Sequence, residues 1–214
     1  MKIYHILKKS GKDTLFRKII LKSLNALKSK SDKSNIVVYI ASGFYSENTQ
    51  TQITTFQCKD TQTTLANELV GLNVELFGAF SKKTELLQVG SNLKARKINV
   101  KVFYKYHFHS KLFIITIAGK PVLEIIGSSN MTTSAYEGLR TYNSSKSSLN
   151  TESDLVIIDD EILNVSVDVN DFVMEFEYSN DKNNQITLEN KMFDILDYLN
   201  ELKNQMKNIT NEIK

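Results

Sequence analysis

Short apolar segments alternate with amphipathic ones through the first half of the chain. The segment IVVYIA (36–41) is a continuous apolar run, which is typical of a strand buried on both faces. The same patterns predict further strands at 74–80 and 97–104, and helices at 13–30, 64–70 and 82–96. Because strands and helices alternate, we expect an α/β fold with some parallel pairing.

The pattern changes after residue 104. Segments 109–118 and 121–127 read as two strands of a hairpin, joined by the turn-like AGKP. A short helix at 131–138 and a polar, Ser/Asn-rich loop at 141–151 are expected to follow. Two more strands are predicted at 154–160 and 171–179. The sheet should therefore combine parallel and antiparallel strands.

The C-terminal segment has its own periodicity. Apolar residues recur there with 4-3 spacing, namely Leu188, Met192, Ile195, Leu199, Leu202, Met206, Ile209 and Ile213. This register predicts a helix at 185–214 that begins docked on a domain of residues 1–180 and ends as a coiled-coil seam. The alternative, a helix packed entirely on its own domain, is favoured by Phe193 and Leu196. A register that runs to the end also suggests a fragment of a longer protein.

Composition excludes several classes of protein. No apolar run is long enough for a signal peptide or a membrane span, and Cys58 is the one cysteine, so we expect a cytoplasmic protein without an internal disulfide. Residues 1–120 contain 20 Lys and Arg against 7 Asp and Glu, and residues 121–214 contain 7 against 17. Such a chain can attract a polyanion with one surface, unless the two halves intermingle in space.

The chemistry is concentrated in His109-Ser110-Lys111 and in Gly127-Ser128-Ser129-Asn130. A metal-free phosphodiesterase needs a nucleophile that is neutral near pH 7, such as imidazole, and donors for the phosphate oxygens. His109 and Lys111 share one face of a strand, so both can address one phosphate. Asn130 ends the neighbouring strand and can donate its amide, and Gly127 and the start of the helix at 131–138 add backbone donors.

These residues resemble the HxK…GSxN signature of the phospholipase D superfamily. The resemblance implies a phospholipase D-like mixed sheet flanked by helices, with His109 as the catalytic histidine and Lys111 as its lysine. Ser128 and Asn130 match the Ser and Asn of the second motif. In the small nucleases of this superfamily a Glu before the next strand orients the histidine, and here Glu152 in NTESDLVII takes that role. Glu137 and Asp154 are alternatives for it.

The resemblance is incomplete. The superfamily usually has an Asp five residues after the lysine, where this chain has Thr116, and the spacing from Lys111 to Gly127 is longer by four residues. Such variation fits the nuclease and restriction-endonuclease branches better than the phospholipases. His107 shares a face with His109, but three histidines and no carboxylate cluster do not make a metal site. We therefore expect no metal and no cofactor.

A single motif has a consequence for assembly. In the resembled superfamily two HxK motifs meet, one histidine attacking phosphorus and the other protonating the leaving oxygen. His5 and Lys8 have the wrong spacing to form a second motif, so a homodimer should supply it. Short one-motif chains point to a nuclease, the catalytic part of a restriction endonuclease being one form.

The residues that lead into the motif favour nucleic acid, and DNA in particular, as the substrate. Basic residues there interleave with aromatic ones, and we expect Lys94, Arg96 and Lys105 to contact phosphates. Two other functions stay open. One is a phospholipase or phosphatidyltransferase, which needs a membrane-facing element. The other is a catalytically silent module for dimerisation or DNA binding in a restriction or helicase system. The missing Asp and the C-terminal seam keep it open, and the intact His109, Lys111 and Asn130 argue against it.

Overall fold

The computed structural model describes residues 1–8, 15–29, 33–43, 65–79, 83–106, 110–128, 152–165, 173–176 and 182–213. The strands are β1 (Lys2–Lys8), β2 (Ile36–Ser42), β3 (Asn73–Ala79), β4 (Asn99–Lys105), β5 (Leu112–Ile117), β6 (Lys120–Gly127), β7 (Glu152–Ile158), β8 (Val173–Phe176) and β9 (Lys207–Asn208). The helices are α1 (Leu15–Lys28), α2 (Leu65–Glu68), α3 (Lys83–Ala95), α4 (Asp160–Leu163) and α5 (Lys182–Asn204). The helix expected at 131–138 and the loop expected at 141–151 lie outside the described residues.

Within the described ranges, all nine strands form one sheet in the order β8-β1-β7-β6-β5-β2-β3-β4-β9. β2, β3 and β4 are parallel, and every other neighbouring pair is antiparallel. The predicted mixed α/β sheet flanked by helices is therefore confirmed. The hairpin is β5–β6, with Ala118 and Gly119 in its turn at φ values of 50° and 81°. Glycine adopts such a conformation without steric cost.

Helices cover both faces of the sheet. On one side, called here the α1 face, α1, α2 and α3 bury apolar stripes against the strands, with Ile20, Leu24 and Leu93 fully buried. The opposite side, the α5 face, is covered by α5 through Leu188, Met192 and Leu199. β2 is buried from both sides, as its continuous apolar run predicts, because alternate residues of a strand point to opposite faces.

The C-terminal helix is shorter than the predicted segment 185–214. α5 ends at Asn204, and the apolar residues Met206, Ile209 and Ile213 are buried in this chain's own core, with at most 8% of each exposed. After the helix, β9 pairs with β4, and the Ile209 N–H donates to the Val102 carbonyl. Without this segment β4 would be an edge strand with unpaired backbone groups, so backbone pairing overrides the local heptad pattern.

The N-terminal segment contains a strand that the sequence patterns had not indicated. β1 lies between β7 and β8 and pairs antiparallel with both. Its position brings the basic half of the chain against the acidic half. Ion pairs that join the two halves include Lys2 with Asp160, Lys83 with Glu212, and Lys120 with Glu189. Within the described ranges the two charge classes therefore intermingle at these places.

Candidate active site

The two halves of the motif meet at one edge of the sheet, called here the motif edge. β2, β3, β4 and β6 end at this edge, and β5 and β7 begin there. Ser110 and Lys111 immediately precede β5, Gly127 is the last residue of β6, and Ser128 follows it. Antiparallel pairing of β5 with β6 thus brings Lys111 and the Gly127-Ser128 pair together, as the hairpin predicts.

Three residues form a row across β5, β6 and β7 at this edge. The Gly127 N–H donates to the carbonyl of Lys111 at 3.4 Å, and Gly127 is directly opposite Asp154 in the β6–β7 register. By strand alternation from Phe113, Lys111 is on the α1 face. Asp154 is on the same face, because it is opposite Ile6 of the α1-face core. Lys111, Gly127 and Asp154 line one cleft, together with Phe16, Ala41, Leu112, Phe113 and Ile125.

Gly127 is required by the close approach of β7. A methyl group at this position would overlap the Asp154 carboxylate and the Ser153 carbonyl, and it would lie 2.7 Å from the Asp154 Cα. The Asp154 side chain is therefore folded over the backbone of residue 127, where only glycine leaves room. It is 2% exposed, which is unusual for an acid and requires polar or charged neighbours.

Ser128 joins the motif to the strand that carries the acids. The Ser128 N–H donates to the carbonyl of Ser153 at 3.1 Å, and the Ser153 N–H donates to the Ser128 Oγ at 2.9 Å. The Ser153 hydroxyl in turn is 2.7 Å from the His5 Nε2. Because of these bonds, β1, β7 and the end of β6 are held together beside the motif.

A family model decides the affiliation of the chain. The model of the NgoFVII restriction endonuclease N-terminal PLD domain matches residues 20–175, and PLD stands for phospholipase D. The chain belongs to this family. The resemblance that His109, Lys111, Ser128 and Asn130 carry is thus confirmed at the level of the family, which is one of nucleases and phosphodiesterases.

Among solved structures, two matches have low scores. The archaeal chromatin protein TrmBL2 matches with 10% identity and a TM-score of 0.35, covering 77% of this chain and 48% of that one. A variant of yeast tyrosyl-DNA phosphodiesterase 1 matches with 13% identity and a TM-score of 0.34, covering 71% of this chain and 31% of that one. The chain thus spans less than half of either protein. None of the curated proteins compared with it is significantly similar.

Several predicted site residues of this NgoFVII-family chain cannot be placed in the structure. His107, His109, Asn130 and Glu137 lie outside the described residues, and so does the side chain of Glu152. The backbone of Glu152 is described and begins β7, two residues before Asp154. In the described part of the chain, no group of three or more His, Cys, Asp or Glu side chains could hold a metal ion.

The three predicted phosphate-binding residues do not lie together. Lys94 lies in the last turn of α3 and Arg96 follows that helix, so both precede β4 at the sheet edge opposite the motif edge. A seven-residue strand separates the two edges by roughly 20 Å. There Lys94 donates to the Ile213 carbonyl, and the Arg96 guanidinium donates to the Asn67 Oδ1 at 2.7 Å. Lys105 ends β4 at the motif edge and donates to the Gln205 side chain at 2.8 Å.

A second buried carboxyl group lies on the other side of the same strands. Glu124 of β6 is opposite Ile114 and Ile157, and both of these pack under α5. It is fully buried, and neither of its oxygens has a hydrogen-bond partner within the described residues. Burial without a partner raises the pKa of the Glu124 carboxyl to about 8, so the group is mainly protonated at pH 7.

Sequence reasoning missed two parts of this site. One is the contribution of Phe16 of α1 to the cleft, which no motif indicates. The other is the alignment of Asp154 with Gly127 and Lys111, because the β6–β7 register depends on pairing between distant segments. The available signal was an Asp at the start of an otherwise apolar strand, and Asp154 was one of the alternatives to Glu152.

Proposed function

We propose that this chain is a metal-independent endonuclease that cleaves DNA through a covalent phosphohistidine at His109. The observation that supports it most is the row of Lys111, Gly127 and Asp154 at the motif edge. This row contains a lysine that follows His109 by two residues, and a glycine where the backbone can approach a phosphate closely. The family's name, restriction endonuclease, indicates DNA as the substrate.

The register of the sheet suggests which acid orients the nucleophile. Residues two apart on a strand share a face, so β5 extended backwards by three residues would align His109 with Glu152, as Lys111 is aligned with Asp154. We therefore propose Glu152 as the acceptor for one ring nitrogen of His109, which leaves the other nitrogen free to attack. Lys111, Asn130 and the backbone at Gly127 would hold the phosphate oxygens, with Ser128 keeping Asn130 in position.

The proposed reaction has two steps. In the first, a ring nitrogen of His109 attacks phosphorus, the P–O bond to the leaving group breaks, and His109 of the partner subunit protonates the leaving oxygen. In the second, water attacks phosphorus and the P–N bond breaks. The partner's His109, now neutral, takes the proton from that water, so both histidines return to their starting states.

A homodimer is part of the proposal because one chain provides one HxK motif. His5 of β1 is the one histidine within the described residues, and it does not complete the site. It is opposite Leu155, so its side chain is on the face of the sheet that Lys111 does not share. A twofold axis would instead bring two copies of His109 to one phosphate.

The decisive experiment measures DNA cleavage in excess EDTA by the wild-type chain and by His109→Ala. We expect cleavage that survives chelation, a covalent protein–DNA adduct after acid-free quenching, and loss of both in His109→Ala. The matched control is His5→Asn, which changes a histidine on the other face but keeps a hydrogen-bonding side chain. Cleavage that requires added Mg²⁺, or that persists in His109→Ala, would refute the mechanism.

Mixing experiments test the shared site. When equal amounts of wild-type and His109→Ala chains are unfolded and refolded together, independent sites would retain about half of the activity. A site made by two chains retains about a quarter, since only dimers with two histidines work. Hydrolysis of phosphatidylcholine vesicles instead of DNA would identify a phospholipase, and DNA binding without cleavage of either would identify a silent module.

A further inference from the structure

We propose that Asp154 is a positioning residue that holds Lys111 in place through an ion pair across Gly127. This inference rests on the proposed function for its role in catalysis, but the pairing itself can be tested without it. It concerns a different carboxylate from the one that would orient His109. It also gives a function to a buried acid that the two-histidine mechanism does not use.

The first argument is the surroundings of Asp154. It is 2% exposed, and its neighbours in the α1-face core, Ile6 of β1 and Ile125 of β6, are apolar. An ionised carboxylate buried among apolar side chains is costly unless a cation or several donors accompany it. Among the described residues that line the cleft, Lys111 is the one cation and Asp154 the one acid.

The second argument is the geometry of the row. Lys111 and Asp154 are on strand positions two spacings apart, each spacing being about 4.8 Å, and they point to the same face. Any side chain at position 127 would stand between them. The residue there is glycine, and the Asp154 carboxylate already occupies the space that a Cβ would take. A long lysine and a short aspartate can therefore meet above the glycine.

The third argument is what the pairing would do for Lys111. A lysine ammonium at a phosphate site acts as a point charge on a flexible stem, and its effect depends on where it is held. In this superfamily's usual pattern an Asp follows the lysine by five residues, but this chain has Thr116. That threonine is buried on the α5 face and donates to the Val37 carbonyl at 3.4 Å. Asp154 supplies a carboxylate on the face where Lys111 is.

The test uses the full chain and compares Asp154→Asn with Glu124→Gln. Both replace a buried acid by its amide on neighbouring strands, but only the first would remove the partner of Lys111. The first measurement needs no activity, namely the rate at which an amine-acylating reagent labels Lys111, read by peptide mass spectrometry with Lys105 as internal reference. We expect Asp154→Asn to speed labelling of Lys111 about tenfold, because an opposite charge at contact distance suppresses the free amine by at least that factor.

Under the same conditions Glu124→Gln should leave the labelling of Lys111 unchanged. In cleavage assays, Asp154→Asn should lower kcat about ten- to a hundredfold with little change in KM, since a displaced Lys111 costs transition-state rather than ground-state binding. Melting temperatures provide a further check that does not depend on activity or on labelling. The double variant Lys111→Met/Asp154→Asn should melt above Lys111→Met, which leaves the acid buried alone.

Equal labelling of Lys111 in the wild type and in Asp154→Asn would overturn the pairing, whatever the activity. If the wild type shows no chelator-resistant cleavage that His109→Ala abolishes, the proposed function fails, and the labelling result still decides the pairing. Additive losses of melting temperature in the double variant would also contradict it, because a coupled pair is not additive.

Discussion

Two buried acids on neighbouring strands have opposite environments. Asp154 of β7 is on the α1 face at the motif edge, where it shares a cleft with Lys111. Glu124 of β6 is on the α5 face in the middle of the sheet, where both of its oxygens lack a partner within the described residues. The two strands are neighbours in the sheet, and the two side chains are buried to nearly the same degree. Burial alone therefore does not identify a functional acid, and the neighbours at the end of the strand make the difference.

The largest effect is expected at the lysine of the α1-face row. Lys111→Met should lower kcat by about 10²–10³-fold, as removal of one preorganised donor to a developing negative charge does in other enzymes. The measurement is single-turnover DNA cleavage in EDTA. Lys105→Met is the matched control, because Lys105 is at the same edge but bonds to Gln205, and it should change mainly KM and its salt dependence. Equal losses of kcat in the two variants would contradict a specific role of Lys111 in catalysis.

The second-largest effect is expected on stability, and it arises from Glu124 on the α5 face. Below pH 4.5 the Glu124 carboxyl is protonated in both the folded and the unfolded chain. Between pH 4.5 and about 8 the unfolded chain loses the proton while the folded chain keeps it, so the free energy of unfolding falls as pH rises. Above about pH 8 the carboxyl is ionised in both states, so the free energy of unfolding no longer falls on account of Glu124. Each pKa unit corresponds to about 1.4 kcal/mol.

Glu124→Gln removes this pH dependence. Relative to the wild type, its free energy of unfolding should rise by about 2–4 kcal/mol between pH 4.5 and 8, measured by urea denaturation at several pH values. The change with pH is the informative quantity, since a buried amide adds a constant cost of its own. If the free energy of unfolding changed with pH in the same way in the wild type and in Glu124→Gln, the Glu124 carboxyl would have to be stabilised by a partner. Its environment would then not differ from that of Asp154 in the way described.

The smallest effect is expected at the edge opposite the motif edge. Arg96→Ala removes the bond from the guanidinium to Asn67 and should cost about 1 kcal/mol of stability with kcat in EDTA unchanged. Thermal melts and cleavage rates measured on the same preparation test both parts. A large loss of DNA affinity in this variant would extend the DNA path to the far edge and restore the role that the sequence pattern suggests for Arg96.

Much of the fold could be predicted from local patterns. The continuous apolar run of β2 and the hairpin β5–β6 are recognisable because burial on both faces and a tight turn leave local signatures. The strand β1 and the short β9 were missed. β9 is two residues long, and its formation depends on an unpaired backbone at β4, which no pattern in residues 207–208 reveals.

The candidate site was predictable to a similar degree. That Lys111 and Gly127 are neighbours follows from the hairpin alone. That Asp154 completes their row does not, because the register of β7 is set by pairing with β6 and β1 across distant parts of the sequence. Lys94 and Arg96 were grouped with Lys105 by their proximity in sequence, but the intervening strand β4 carries them to opposite ends of the sheet.

The insertion of the N-terminal strand has a practical consequence for anyone who shortens this protein. A fragment cut to the family-matched segment, residues 20–175, would lack β1 and β9. Without β1, the inner strand β7 would become an outer one, with the backbone of Ser153 and Asp154 open to solvent or to another molecule. The first eight residues thus support the strand that carries Asp154. Their removal should favour self-association through the exposed edge of β7, whatever its effect on catalysis.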